Sequence, residues 1–305
     1  MSTEFPFVKT SIKIPSCLPD WNLDAWRYLP KQASKPYPVI IMAHGFASNK
    51  LMALAPYAEA FTSAGYACVV FDYRRWGASD GEPRHILYVT EQLEDYRTVI
   101  KFCRQQPEFN PKQVILWGTS FSGGHVVTLA SEPRLNIAAV IAQCPFLGVF
   151  SSPPLTVVAL KTLAYALFDA LKQALGLAPF YVPAAAPPGT VGGLTAPGST
   201  EGMQMLGPCP NEVSASSILE FLAYAPHAHA ELIRCPVLLV SVVEDNLCDI
   251  KGVEEVGRKC LAVVEIVRVN GDHFEVYPGG RLHDASLGAQ LAFLRQHVEE
   301  SSRSW

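Results

Sequence analysis

The sequence predicts an α/β fold in which helices cover both faces of a mostly parallel sheet. Six short, solidly apolar runs recur along the chain, at 38–46, 66–73, 113–120, 137–146, 235–245 and 263–271. Runs of this kind suit strands buried on both faces. Segments of helical periodicity separate most of them, and alternating strands and helices build a parallel sheet through right-handed crossovers. The 305 residues, 49% hydrophobic and 17% charged, supply apolar surface for one sizeable core and a small appendage.

Taken in order, residues 7–14 (FVKTSIKI) alternate apolar and polar, the pattern of a half-buried edge strand, and 24–29 (DAWRYL) read as its partner. The run PVIIMAHGF at 38–46 is the first buried strand and ends in His-Gly. A helix over 51–64 stops at Gly65, a good C-terminal residue. YACVVFDY at 66–73 is the second buried strand, and 91–106 has helical periodicity before the breaker Asn110-Pro111. QVILWGTS is the third strand, and a helix restarts at 122–131. IAAVIAQCPF, CPVLLVSVVED and VVEIVRVNG complete the six, and a last helix runs from about Ala285 to about Glu299.

The alternation breaks once, over 147–230. This stretch has no strand-like run, opens with PLTVVALKTLAYALFDALKQALGL and ends with NEVSASSILEFLAYAP. The first piece reads as an amphipathic helix pair, the last as a helix capped at Asn211 or Ser214. Between them, 181–210 holds six Pro and six Gly, too many breakers for continuous helix. Parallel strands place their C-terminal ends on one edge, where such folds bind ligands. An insertion after the fourth strand covers that edge, so the expected organisation is a core of 1–146 and 231–305 with a lid at 147–230.

Several function classes drop out. A net charge of −4 without a run of Lys or Arg offers no row of cations for a phosphate backbone, so no nucleic-acid partner is expected. The longest apolar stretch is interrupted by Lys161, Asp169 and Lys172 and falls short of the ~18–20 apolar residues of a membrane span. The opening MSTEFPFVKTSIKIP lacks a cationic segment followed by an apolar one, so no signal peptide is expected. Eight scattered cysteines show no CxxC or Cys/His spacing. They read as free thiols in a reducing, cytoplasmic setting, with no metal or cofactor.

The stretch Leu116-Trp117-Gly118-Thr119-Ser120-Phe121-Ser122-Gly123-Gly124 leaves a strand and opens a helix. A sharp strand-to-helix turn needs small residues two before and two after a nucleophile. Gly118 supplies the first, and Ser122 replaces the usual glycine at the second. A phosphate-binding loop would carry a Lys at its end, which is absent here. Ser120 is therefore the candidate nucleophile. A serine hydroxyl needs a base, and the base an orienting carboxylate, which follow in the order Ser, Asp/Glu, His where the nucleophile sits on such a turn. His273, in the Asn270-Gly271-Asp272-His273 loop after the sixth strand, is the candidate base. Asp245, at the first turn after the fifth strand, is the candidate acid, with Asp249 and Glu244 as alternatives and Asp272 as a loop cap. The backbone N–H groups of Phe46 and Phe121 are the candidate oxyanion donors. His44 and His125 read as structural.

His44-Gly45-Phe46, Phe71-Asp72-Tyr73-Arg74, the stretch Gly77–Arg84, LWGTSFSGGH at 116–125, Ala142-Gln143-Cys144-Pro145-Phe146 and the Asp245 and His273 loops together resemble the α/β-hydrolase superfamily. More narrowly, they are similar to the fungal polyketide transferase and trans-acting thiohydrolase family. That resemblance implies an α/β-hydrolase fold and an acyl substrate, such as a carrier-protein-bound polyketide ester or thioester in fungal secondary metabolism. The family releases such chains, transfers them, or assists a later cyclisation. Lys50, Arg74, Arg75 and Arg84, in loops after the first two buried strands, are candidates to meet an acidic carrier. A general carboxylesterase or peptidase, and a non-hydrolytic binding protein on the same fold, are the competing readings.

Overall fold

The structure, a computed structural model, describes residues 6–149 and 156–299. Two N-terminal strands, β1 (Phe7–Pro15) and β2 (Asn22–Pro30), pair antiparallel. Then follow β3 (Tyr37–Ala43), α1 (Ala55–Ser63), β4 (Ala67–Phe71), α2 (Val89–Arg104), β5 (Phe109–Thr119), α3 (Phe121–Ala130) and β6 (Ala139–Gln143). The insertion holds the short strands β7 (Tyr181–Val182) and β8 (Val213–Ser214), and after it come β9 (Val237–Val242), α7 (Ile250–Lys259), β10 (Val264–Val269) and α8 (His283–Leu294). The main sheet has eight strands in the order β1-β2-β4-β3-β5-β6-β9-β10, parallel from β4 to β10. All six apolar runs are strands of this sheet. β4, β6 and β9 are buried at every residue, as continuous apolar runs require.

The strand order also places the site. From β3 the chain moves to β4 on one side, and then returns to β5 on the other. That reversal opens a crevice at the C-terminal ends of β3 and β5, the point where open α/β sheets bind ligands. Large apolar clusters pack on each face of the sheet, one around Phe71, Tyr96 and Phe121, the other around Tyr57, Trp117 and Phe293.

Between β6 and β9, the insertion departs from expectation in three ways. Over its described residues, the first apolar piece is one helix, α4 (Val157–Ala174), where a helix pair was expected. Its interrupting Asp169 does not break it but is buried, and accepts hydrogen bonds from the Phe180 N–H at 2.6 Å, the Ser216 N–H at 2.8 Å and the Ser214 hydroxyl at 2.5 Å. A short antiparallel pair, β7 (Tyr181–Val182) with β8 (Val213–Ser214), forms where no strand was expected. It leads into a 3₁₀ turn at Ala215–Ser217 that continues as α6 (Ile218–Ala223): Ser214 is the N-cap residue of this helical piece, as expected, but its hydroxyl bonds Asp169 instead of a helix N–H, and Asn211 is bonded to the backbone of Ala185. A further helix, α5 (Ser199–Leu206), emerges from the Pro/Gly-rich stretch. Leu160, Leu163, Leu167 and Leu171 of α4, and Leu175 at its C-terminal cap, are exposed to solvent. No described helix is long and apolar enough to cross a membrane.

Candidate active site

Ser120 sits between the last residue of β5 and the first of α3, at φ 54° and ψ −119°. A non-glycine residue rarely adopts such a conformation, which costs on the order of 1–3 kcal/mol and persists only where its surroundings enforce it. Here they do. The Ser120 N–H donates to Gln143 O, and its carbonyl accepts from Gly123 and Phe146. A Cβ on Gly118 would stand 2.2 Å from the Ser122 carbonyl oxygen, so only glycine fits there. The replacement at Ser122 is more than a small residue: its hydroxyl donates to Ala43 O at 2.9 Å and accepts from the Thr119 N–H at 3.2 Å, tying the turn to β3.

The loops after β3, β9 and β10 converge on this turn. A Cβ on Gly45 would approach Ser120 Cβ to 3.1 Å, which brings the chain leading to Phe46 directly against the serine. Phe121 is the first residue of α3, so its N–H has no intrahelical acceptor. His273 Nδ1–H donates to Asp245 Oδ2 at 2.7 Å, with both side chains nearly sealed from solvent. Asp245 Oδ1 in turn accepts from the N–H groups of Leu247 and Cys248, both at 2.8 Å, which fixes the carboxylate. Ser120, His273, Phe46 and His44 line one pocket.

Of the alternative acids, Asp249 caps α7 by accepting from the Lys251 N–H, and Glu244 is exposed. Asp272 accepts from the Phe274 N–H and caps its loop. Burial by itself lowers the basicity of His273. Burial is the largest single influence, but the Asp245 carboxylate, by charge and hydrogen bond, together with Cys144 and Cys248, outweighs it and holds the imidazole well above its ordinary pKa. His44 and His125 show the opposite: burial pushes them down to about 4 and about 3, so both are neutral packing groups. His125 is held between Tyr224 and Gln92.

Within the serine aminopeptidase, S33 family model, residues 34–196 of the chain match, more than half its length. The chain belongs to this family of α/β-hydrolases. As a family member it is similar to the quorum-quenching protein AidA of Acinetobacter baumannii, 38% identical over 269 residues that cover 86% of this chain and 87% of that protein. It is also similar to the polyketide transferase grgF of a Penicillium species, 33% identical over 151 residues, 50% of each chain. In three dimensions it matches the crystal structure of the α/β-hydrolase GrgF from Penicillium with a TM-score of 0.79, covering 96% of this chain and 99% of that one at 24% identity. Bacterial and fungal proteins both stand among its relatives, so family membership assigns no fungal source.

The S33-family site contains groups that sequence reasoning missed. His273 Nε2 faces Cys144 Sγ at 3.9 Å, and no hydrogen bond joins it to Ser120 Oγ, although both line the same pocket. Behind them, Tyr277 and Thr119 share a hydrogen bond of 2.6 Å, and Thr119 accepts from Gln143. Position at a strand end is the one signal that marked Cys144. Among the described residues, Cys144, Asp245 and His273 form a trio of potential metal ligands within 4.8 Å of one another. Both Asp245 oxygens are already engaged, so the trio is a hydrogen-bonded unit rather than a metal cage.

The four cations expected at the mouth are committed to structure. Lys50 lies 2.5 Å from both Asp24 and Asp72. Arg74 pairs with Asp95 and Glu94, and Arg75 with Glu91. Arg84 donates to the carbonyls of Gly77 and Ser79.

Proposed function

We propose that the chain is a serine hydrolase or acyltransferase that works through an acyl-Ser120 intermediate on a small-molecule ester or thioester. The observation that carries this is the buried Asp245–His273 pair converging on the strained Ser120 turn. Ser120 Oγ attacks the substrate carbonyl carbon as its proton passes to His273 Nε2. The Phe46 and Phe121 N–H groups receive the negative charge on the former carbonyl oxygen. Collapse breaks the bond to the leaving group, which takes the proton from His273. Water, or a second nucleophile, then repeats the sequence and frees Ser120. The shift of Nε2 from Cys144 to Ser120 accompanies substrate binding, since such hydrogen bonds are often long in unliganded enzymes.

Polyketide transferases and hydrolases among the relatives support an acyl chain as the substrate. A carrier-borne polyketide is the finer reading, and the engagement of Lys50, Arg74, Arg75 and Arg84 removes the cations first expected to favour it. Residues 147–230 act as the lid in this proposal, over a core of 1–146 and 231–305. Eight free cysteines fit a reducing, cytoplasmic compartment. Turnover of matched p-nitrophenyl esters and thioesters tests the reading: activity on both should fall by about 10⁴-fold or more in Ser120→Ala. Activity that survives in Ser120→Ala contradicts it.

A further inference from the structure

Three cavities border α5. The pocket over Ser120 has about 20 Å³ of free space, room for about one water molecule. On one side of α5 lies a cavity of about 440 Å³ that shares Met52 and Met203 with this pocket. On the other side lies a groove of about 510 Å³ that shares only Phe274 with it.

A substrate carbonyl at Ser120 leaves no space there for the rest of an acyl chain, so the chain must continue into a neighbouring cavity. The Phe274 side is closed and polar. Gly202 of α5 packs directly on Phe274, with a position for Cβ only 2.2 Å from the ring. Beyond it stand Glu201, Asp272, Glu275 and Arg281, whose hydration an apolar chain would displace at a cost. The Met52/Met203 side differs on both counts. Methionine side chains are unbranched and adapt readily to a neighbour. Past them, Ala184, Ala185, Pro208, Cys209 and Pro210 line a wall without charge. Two of its polar groups are already satisfied, the Asn211 amide, bonded twice to the backbone of Ala185 at 2.8 and 2.9 Å, and the Cys209 thiol, which donates to Ala47 O, leaving Thr200 and Gln204 of α5 as the remaining uncharged polar side chains at its border. Gly207, at φ +137°, folds the 207–211 loop against Met52 and closes the chamber near its neck. The volume falls in the range of small-molecule sites.

We propose that the 440 Å³ cavity is the chamber for the apolar chain of the acyl substrate, entered from Ser120 between Met52 and Met203. This rests on the acyl-Ser120 reading and adds to it a substrate class, medium-length aliphatic acyl groups. Across p-nitrophenyl esters from acetyl to octanoyl, kcat/KM should rise by about fourfold for each methylene that enters the chamber. Met203→Trp and, independently, the exposed Gln204→Trp should each reduce the octanoyl-to-acetyl ratio of kcat/KM at least about tenfold. Met205→Trp, which lines only the opposite groove, should leave that ratio unchanged. A flat chain-length profile in the wild type, a ratio unaltered by both chamber variants, or a ratio collapsed by Met205→Trp overturns the proposal. Calorimetric binding of octanoate to Ser120→Ala protein separates the chamber from the chemistry. Saturable binding that Met203→Trp removes supports the chamber whatever Ser120 does, and absence of binding overturns it.

Discussion

Asp245 reaches His273 through one oxygen and is anchored by two amides through the other, so it fixes both the orientation and the charge of the imidazole. Because the carboxylate holds the His273 pKa well above its ordinary value, the free base accumulates only as pH rises, and kcat/KM should climb with pH along an acid limb. Asp245→Asn removes the largest of the groups that oppose burial. It should move that limb to lower pH while reducing kcat by about 10²–10⁴-fold, and a pH–rate profile reads both effects. Lys50 shows a different use of charge. It is buried between two carboxylates, and Lys50→Ala would strand the buried Asp72 without a cation and leave Asp24 to the exposed Lys13 alone. We expect a loss of about 3–5 kcal/mol in denaturant unfolding. That Ser120, Asp245 and His273 come together was legible in the sequence because each follows an apolar strand, and strand ends of a parallel sheet share one edge. Cys144 and Tyr277 were not, because their approach to His273 depends on strand register and on how the last loop folds back.

At the scale of elements, the six buried strands were legible because solid apolar runs leave no alternative to a doubly covered sheet. The insertion was harder to read. Asp169 and the two lysines in the first apolar piece look like interruptions along the sequence, but α4 turns Asp169 inward as a polar hub and its leucines outward. The pair β7–β8 is held by that hub, a contact between residues far apart in sequence that no local pattern announces. Two glycines of the Pro/Gly-rich stretch are similarly explained by neighbours far away in sequence. Gly193 lies against the Phe46 ring, and Gly202 against Phe274, the residue after His273. Gly202→Leu must push α5 and the His273 loop apart. We expect kcat/KM to fall at least about tenfold on any acyl ester, with the circular dichroism of the folded protein retained.

Across the whole molecule, two buried neutral histidines, His44 just after β3 and His125 in α3, oppose folding when protonated. In an unfolded chain histidine takes up its proton near pH 6.5, whereas His44 waits until about 4 and His125 until about 3. Between these limits each histidine binds more protons in the unfolded state, whereas Asp95, pushed up to about 6 by burial, takes its proton first in the folded state and offsets about one of them, so stability should fall as pH drops from 6.5 towards 4 by a net amount on the order of 3 kcal/mol. A melting temperature that declines over this window agrees with the account, and one that is flat or rises on acidification does not.

The site as a whole stands on Ser120 being a nucleophile made reactive by His273. A fluorophosphonate probe followed by intact-protein mass spectrometry and peptide mapping tests this most directly. The account predicts a single adduct on Ser120 that is slowed severely in His273→Ala and absent in Ser120→Ala. Labelling elsewhere, or no adduct on a protein that still turns over acyl esters, would contradict it.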